Sequence, residues 1–169
     1  MLLNVKPILN TPGKQLDFQF ELDLSDMEFS GRYPVSRPVV VRGEVRNTAG
    51  ILELTLNART TLDAVCDRCG KAFKQDKDVP FACMLAEELQ NEDNDEIELL
   101  EDGMVDVGEL ARTAFILDMD TKFLCSEDCK GLCPTCGKDL NEGPCGCGKE
   151  LDPRFAVLAK LLDKGPKEP

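Results

Sequence analysis

The densest chemical signal in this chain is a run of cysteines at residues 125–147, which holds six of the nine cysteines in 23 residues. Within this run, Cys133-Pro-Thr-Cys136-Gly has the form of a metal-knuckle turn. The proline sets the first bend, and the glycine lets backbone amides approach the two sulfurs. Cys145 and Cys147 supply two further thiols a short distance along the chain. The run therefore predicts a structural metal site, and the fold must accommodate it.

Composition indicates what these cysteines are for. No stretch approaches the roughly 20 apolar residues that a membrane span requires, and the N-terminus lacks a basic region followed by an apolar one. We therefore expect a cytoplasmic protein, in which thiols stay reduced and clustered cysteines are metal ligands before they are disulfides. The chain has no histidine, which removes the commonest general base and the usual partner of a nucleophile. We expect no enzymatic activity.

A second pair with knuckle spacing, Cys66 and Cys69, is also followed by a glycine. Without histidine, four thiolates are the familiar structural solution for zinc. Joining near neighbours costs the least loop entropy, which favours a compact site closed by residues 137–144 and leaves the remaining pairs to meet each other. The two predicted sites are Cys66, Cys69, Cys125 and Cys129, and Cys133, Cys136, Cys145 and Cys147. Cys83 then remains as a small hydrophobic residue of the core.

A single site is the main alternative, and its ligands would be Cys66, Cys69, Cys133 and Cys136. That arrangement leaves the other four cysteines of the knuckle segments without a role. Four cysteines can also hold an iron–sulfur cluster, but the knuckle form favours zinc. The sequence thus predicts one or two zinc ions, each held by four cysteines. With two sites, the first would clasp the C-terminal segment against the N-terminal half of the chain.

The N-terminal half has the alternation of antiparallel β-strands. Residues 16–24 alternate apolar and polar side chains without a break, and residues 39–46 and 51–56 flank the turn-forming tetrapeptide 47–50. Apolar residues continue at even positions to Cys66, and residues 79–85 resume the alternation as a returning strand. We predict that residues 1–85 form an antiparallel β meander, arranged as a sandwich or a partly open barrel.

The acidic residues of the chain are concentrated in one segment. Residues 78–111 contain twelve acidic residues and no lysine or arginine, and this run carries the whole net charge of -12. Residues 86–104 also lose apolar periodicity, so we predict a solvated acidic connector. Asp106 and Glu109 then form a capping-box pattern, and Asp152-Pro153 begins a second predicted helix. The expected fold class is α+β. The connector follows the meander, and residues 105–169 then form a unit in which a helix, the cysteine-rich zinc segment and a C-terminal helix pack back on the β-domain.

Residues 31–77 have the opposite bias, with nine lysines and arginines against five acidic residues. A local excess of basic side chains is what binding to nucleic-acid phosphates requires. The candidate RNA-contact residues are Arg32, Arg37, Arg42 and Arg46.

Several motifs together resemble one known family. They are Cys66-Asp-Arg-Cys69-Gly, the helix after Asp106, the segment Leu124-Cys-x3-Cys-Lys-Gly-Leu-Cys-Pro-Thr-Cys-Gly, and Asp152-Pro-Arg-Phe155. In combination they are similar to the bacterial YceD family, also called large ribosomal RNA subunit accumulation protein. The resemblance covers roughly residues 52–162. It departs at residues 117–122, where the family pattern would end the helix with Leu-Pro.

This resemblance implies a non-enzymatic role in the accumulation of large-subunit ribosomal RNA, and hence in ribosome assembly. The expected partners are a ribosomal protein or an assembly intermediate, or ribosomal RNA itself. Either the acidic run attracts a basic partner, or the arginine-bearing strands contact RNA. Two other classes remain open: a redox-regulated holdase chaperone that releases zinc on oxidation, and a zinc-stabilised interaction module unrelated to RNA. The sequence does not indicate an oligomeric state.

Overall fold

The computed structural model describes residues 1–88 and 97–147. These residues form mostly β-sheet with two helices. The strands are β1 (Leu2–Asn4), β2 (Gln15–Leu22), β3 (Val39–Thr48), β4 (Ile51–Val65), β5 (Ala72–Ala86), β6 (Ile97–Leu99) and β7 (Met104–Asp106), and the helices are α1 (Lys6–Leu9) and α2 (Val107–Leu117). Neither helix of this described part is long and apolar enough to cross a membrane.

The main sheet has five strands in the order β2-β3-β4-β5-β6. Strands β2 to β5 pair antiparallel in chain order, which is the meander that the alternating residues predict. Strand β6 pairs parallel with β5 and makes the sheet mixed, and β1 and β7 form a separate antiparallel pair. Among the described strands, no pairing joins β2 to β6. The choice between a sandwich and a partly open barrel stays a prediction.

A tight turn fixes the β3–β4 register. Thr48 pairs with Ile51, so only Ala49 and Gly50 lie between the strands. Both residues have positive φ, +54° and +93°, as the type I′ turn that suits the twist of a hairpin requires. This turn lies within the tetrapeptide that the sequence marked as turn-forming.

The core lies on one face of the main sheet. Inward-facing residues of β3 and β4, such as Val41, Val45 and Leu54, are fully buried. Helix α2 covers this face with Ala111 and Phe115, which lie four residues apart on one side of the helix and are also fully buried. The helix therefore completes the core that the strands begin.

Asp106 caps helix α2 as predicted. Its carboxylate accepts hydrogen bonds from the backbone N–H groups of Gly108 and Glu109, at 3.0 and 3.2 Å, and thereby satisfies two amide donors of the first turn. Only part of the apolar surface of α2 is buried, because Leu117 is 81% exposed. The outer side of α2 thus presents apolar surface beside the sheet.

The predicted acidic connector, residues 86–104, is partly regular structure. Ile97–Leu99 forms β6, and Leu100 donates a backbone hydrogen bond to Ala86 at 2.8 Å. Because the surrounding acidic residues dominate its composition, the short apolar run Ile97-Glu-Leu-Leu100 gave no periodic signal. Residues 89–96 and the predicted C-terminal helix after Asp152 lie outside the described residues.

One buried polar side chain joins α1 to the sheet. Asn47 of β3 is fully buried, and its Nδ2 donates to the carbonyls of Ile8 and Leu9, both at 2.8 Å. Its Oδ1 accepts from the Gly50 N–H at 2.9 Å. One side-chain amide thus forms hydrogen bonds with both the end of α1 and the β3–β4 turn.

We expect Asn47→Ala to lower the free energy of unfolding by about 1–3 kcal/mol, because it leaves buried carbonyls without donors. Urea unfolding followed by circular dichroism measures the change. Asn10→Ala is the matched control, because that asparagine side chain is exposed. Equal stability of the two variants would contradict the assigned role of Asn47.

Candidate metal centre

The turn between β4 and β5 is a cysteine knuckle. Cys66 donates its backbone N–H to the Lys71 carbonyl at 2.9 Å, and Gly70 donates to the Cys66 carbonyl at 2.8 Å. Gly70 has a φ of +71°, a conformation that glycine adopts without strain. The long hairpin of β4 and β5 therefore ends in a turn that points two thiols, Cys66 and Cys69, in one direction.

The second knuckle repeats this geometry. Cys133 donates its N–H to the Lys138 carbonyl, and Gly137 donates to the Cys133 carbonyl, both at 2.8 Å. Gly137 has a φ of +72°. Both turns have the sequence Cys-x2-Cys-Gly-Lys. The shared lysine is a sequence signal that the two turns are alike, and the sequence prediction made no use of it.

The structure gathers eight cysteines into two groups of four. Within each group the sulfur atoms lie within 4.8 Å of one another. In the first group, the Sγ atoms of Cys66 and Cys129 are 3.7 Å apart, as are those of Cys69 and Cys125. The first group is Cys66, Cys69, Cys125 and Cys129, and the second group is Cys133, Cys136, Cys145 and Cys147.

These distances fit a tetrahedral metal ion. Zn–S bonds of about 2.3 Å place the four sulfurs of a tetrahedron about 3.8 Å apart, close to the two observed separations. None of the nine cysteines forms a disulfide. Each group could therefore hold one ion in a closed, four-thiolate site of the structural kind.

The thiols of a group differ in acidity. Hydrogen bonds from backbone N–H groups, first that of Cys125 and then those of Cys69 and Arg68, lower the pKa of Cys66 to about 6 although burial opposes them. Burial raises the pKa of Cys125 to about 12. Four thiolates this close repel one another. A bound divalent cation would offset that repulsion, so the donor set fits a metal ion.

The grouping is the one that local loop closure predicted. The alternative group of Cys66, Cys69, Cys133 and Cys136 is not formed, and Cys125 and Cys129 instead complete the first group. Cys83 belongs to neither group. It packs half-buried against the hydrophobic core, and burial raises its pKa to about 11.

Polar contacts hold the Cys125 segment to the first knuckle. The Arg68 guanidinium donates to the carbonyls of Cys129 and Glu127, at 2.8 and 3.1 Å. Asp67 and Phe123 exchange two hydrogen bonds: the Asp67 N–H donates to the Phe123 carbonyl at 2.8 Å, and the Phe123 N–H donates to the Asp67 carboxylate at 2.7 Å. The two residues between the knuckle cysteines therefore fasten the segment that brings the other two ligands.

Gly131 allows the chain to pass close to this knuckle. A Cβ at this position would lie 2.9 Å from the Arg68 carbonyl oxygen, and the φ of Gly131 is +73°. The next residue, Leu132, donates its N–H to the same carbonyl at 3.1 Å. Sequence reasoning assigned no role to Asp67, Arg68 or Gly131, although all three lie inside the motifs that it singled out.

The four candidate RNA-contact arginines do not form one basic surface. Arg32 donates to the Val65 carbonyl at 2.9 Å and lies 3.5 Å from Asp67, beside the first knuckle. Arg46 lies on the outer face of the sheet and pairs with Glu44 at 3.1 Å. Arg42 is exposed on the same face, and Arg37 is exposed in the loop before β3. RNA contact by these side chains stays a prediction.

The fold and site define a mostly β protein in which two four-cysteine groups could hold metal ions. The family model for large ribosomal RNA subunit accumulation protein YceD matches residues 54–162, which include both groups. The chain belongs to this YceD family.

Two kinds of curated relative are similar to the chain. A chloroplastic YCED homolog 1 of Arabidopsis thaliana, named as a large ribosomal RNA subunit accumulation protein, is 27% identical over 164 residues, covering 78% of this chain and 51% of the relative. Uncharacterized proteins of Mycobacterium bovis and Mycobacterium tuberculosis are 33% identical over 70 residues, covering 41% of this chain and 34% of each relative. The chain therefore spans about half or less of these relatives. No solved structure matches it.

We expect the purified chain to carry two equivalents of zinc, one in each group. Cys69→Ser should reduce the content to one at saturating zinc, because three thiolates no longer close the first site. Cys83→Ala, which alters a cysteine outside both groups, should retain two. Metal analysis by mass spectrometry measures the content, and one equivalent in the wild-type chain would contradict two separate four-thiolate sites.

In Cys69→Ser, we also expect faster amide exchange at residues 123–129 than in the wild-type chain, because the clasp between this segment and the β4–β5 turn is weakened. The second knuckle should keep its protection at saturating zinc. Hydrogen exchange read by mass spectrometry measures both segments. Unchanged exchange at residues 123–129 would rule out the clasp.

Proposed function

We propose that this chain is a non-enzymatic zinc-binding factor that supports the accumulation of large-subunit ribosomal RNA by binding a basic protein partner during ribosome assembly. Membership of the YceD family supports the RNA role, because the family is named for the accumulation of large-subunit ribosomal RNA. The absence of histidine and the two groups suited to closed, structural metal sites support a role without catalysis.

The observation that carries the choice of partner is an acidic groove beside helix α2. We use this name for the groove lined by Leu2, Glu98, Leu99, Glu101, Met104, Asp106, Glu109, Leu110 and Thr113. Four of these nine residues are acidic and none has a basic side chain, although the Asp106 carboxylate already pairs with the N-terminal ammonium of Met1 at 2.8 Å. Leu2 and Leu99 are 65% and 44% exposed, so the groove combines apolar surface with negative charge.

A neighbouring apolar groove extends this surface along α2. The second groove includes Phe81, Leu117 and Asp118, and it shares Leu110 and Thr113 with the acidic groove. A contiguous exposed apolar surface of this kind is typical of an interaction site. The matching partner would present apolar side chains flanked by lysine and arginine.

Such a partner is available among proteins that bind ribosomal RNA. They neutralise phosphates with lysine and arginine, and before assembly that charge has no RNA to pair with. The acidic groove would attract a basic protein at long range and would release it as phosphates compete for the same side chains. This gives the chain a route to affect RNA accumulation without touching RNA.

RNA contact by the arginine-bearing strands has less support. Arg32 and Arg46 already pair with Asp67 and Glu44, and Asp17 and Glu21 lie on the neighbouring strand of the outer sheet face. If the alternative held, changing Arg42 and Arg46 to glutamate would weaken RNA binding. Unchanged RNA affinity would rule out RNA contact through these arginines.

We expect Glu98→Lys combined with Glu101→Lys to reduce recovery of basic ribosomal proteins by at least about tenfold in a nuclease-treated pull-down at low salt, because both exposed charges lie in the acidic groove. The matched control is Glu21→Lys with Glu53→Lys, which changes the net charge equally on the outer sheet face. The control should retain binding.

The same variants test the function in cells that lack the native protein. We expect the wild-type chain and the control pair to restore the ratio of large-subunit to small-subunit ribosomal RNA, and the groove pair to fail. Recovery of no basic protein at low salt by the wild-type chain would contradict the proposed partner. Full restoration by the groove pair would contradict the groove as its site.

A further inference from the structure

Asn141 connects the two cysteine groups. It lies between Cys136 and Cys145 in the loop of the second group, yet its side-chain Nδ2 donates to the Sγ of Cys129, a member of the first group, at 3.4 Å. Its Oδ1 accepts from the Lys130 N–H, next to Cys129, at 2.8 Å. A side chain carried by one group thus contacts both the sulfur and the backbone of the other.

Every polar atom of this amide is used. Besides Cys129, Nδ2 donates to the Asp139 carboxylate at 2.7 Å, and the Asn141 backbone N–H donates to the same carboxylate oxygen at 2.8 Å. The amide orientation follows, because reversing it would turn the oxygen toward a sulfur and a carboxylate and leave the Lys130 N–H facing a donor. Asn141 is therefore held in one orientation by Asp139 in its own loop and by Cys129 and Lys130 outside it.

The position of that loop depends on the second group. Residues 137–144 run between Cys136 and Cys145, so a metal ion bound by the second group would fix both ends of the loop. Leu140 then donates its N–H to the Gly131 carbonyl at 2.9 Å, and Lys138 Nζ donates to the Pro144 carbonyl at 3.1 Å. With the second group unmetallated, we expect the loop ends to lose this closure, so that Asn141 is held less firmly beside Cys129.

We propose that Asn141 is the positioning residue through which metal binding at the second group strengthens metal binding at the first, so that the two groups load cooperatively. The proposal rests on the zinc binding in the proposed function. A hydrogen bond to a ligand atom from a neighbouring polar group orients that ligand and typically changes metal affinity 10- to 100-fold. Linkage requires the same factor in both directions, so metal at the first group strengthens the second equally.

The test measures zinc affinity in competition with a chelator and reads each group separately. The amide signals of Gly70 and Gly137 in a ¹⁵N-labelled chain report the first and second knuckles. In the wild-type chain we expect both signals to change over the same range of free zinc. Asn141→Ala should lower the affinity of the first group 10- to 100-fold, and Asn141→Asp, which turns a carboxylate toward the sulfur, should lower it further.

Glu142→Ala is the matched control, because this residue belongs to the same loop and its side chain is exposed. It should leave both affinities within about twofold of the wild type. Cys145→Ser with Cys147→Ser removes the second group and should weaken the first by the same factor as Asn141→Ala. In that background, adding Asn141→Ala should have almost no further effect, because the loop no longer presents the amide.

Two results would overturn the coupling while leaving the proposed function intact. One is a first group whose affinity does not change when the second group is removed. The other is an Asn141→Ala effect of equal size in both backgrounds, which would make Asn141 an independent support of Cys129. A wild-type chain that binds no zinc would overturn the proposed function and the coupling together.

Discussion

The rest of this structure depends on the meeting of two distant chain segments at the first cysteine group. The β4–β5 turn supplies Cys66 and Cys69, and a segment about sixty residues later supplies Cys125 and Cys129. Four thiolates at this separation repel one another unless a cation lies among them. Because Arg68 and Asp67 also bind the second segment from within the turn, metal binding and backbone contacts would reinforce each other there. The fold and the donor set thus support one another.

The acidic groove and the cysteine groups lie in different parts of the molecule. The cysteine groups lie at the end of the β4–β5 hairpin, whereas the acidic groove lies beside α2 and β6. Closed four-thiolate sites leave no open coordination position for substrate, so they suit a supporting role. The groove, with exposed leucines among carboxylates, suits recognition. This division is what the proposed function requires, in which the chain acts through a partner and metal has a structural role.

The sequence predicted elements whose signal is local. Alternation along residues 16–24 and 51–66 corresponds to β2 and β4, and the capping pattern at Asp106 marks the start of α2. It did not predict β6, because three residues give no period and the neighbouring acidic residues dominate the composition. Nor did it extend the returning strand back to Ala72, since the polar residues Gln75 and Lys77 occupy the less exposed face between Phe73 and Val79 and interrupt the apolar alternation there.

By itself, the sequence indicated the candidate ligands and the two knuckles, and it favoured two groups of four thiols over a single site. Cysteine chemistry and loop entropy depend only on residue identity and spacing. Tertiary structure alone decided which other side chains serve the groups, because Arg68, Asp67 and Asn141 act on residues that folding brings near them. It also separated the arginines, which looked like one basic region in the sequence: Arg42 and Arg46 share the outer face of β3, whereas Arg32 lies beside the first knuckle and Arg37 lies in the loop before β3, and two of the four pair with acidic neighbours. The spacing of cysteines along the chain determines the local geometry of a knuckle, whereas contacts between charged side chains depend on which residues folding brings together.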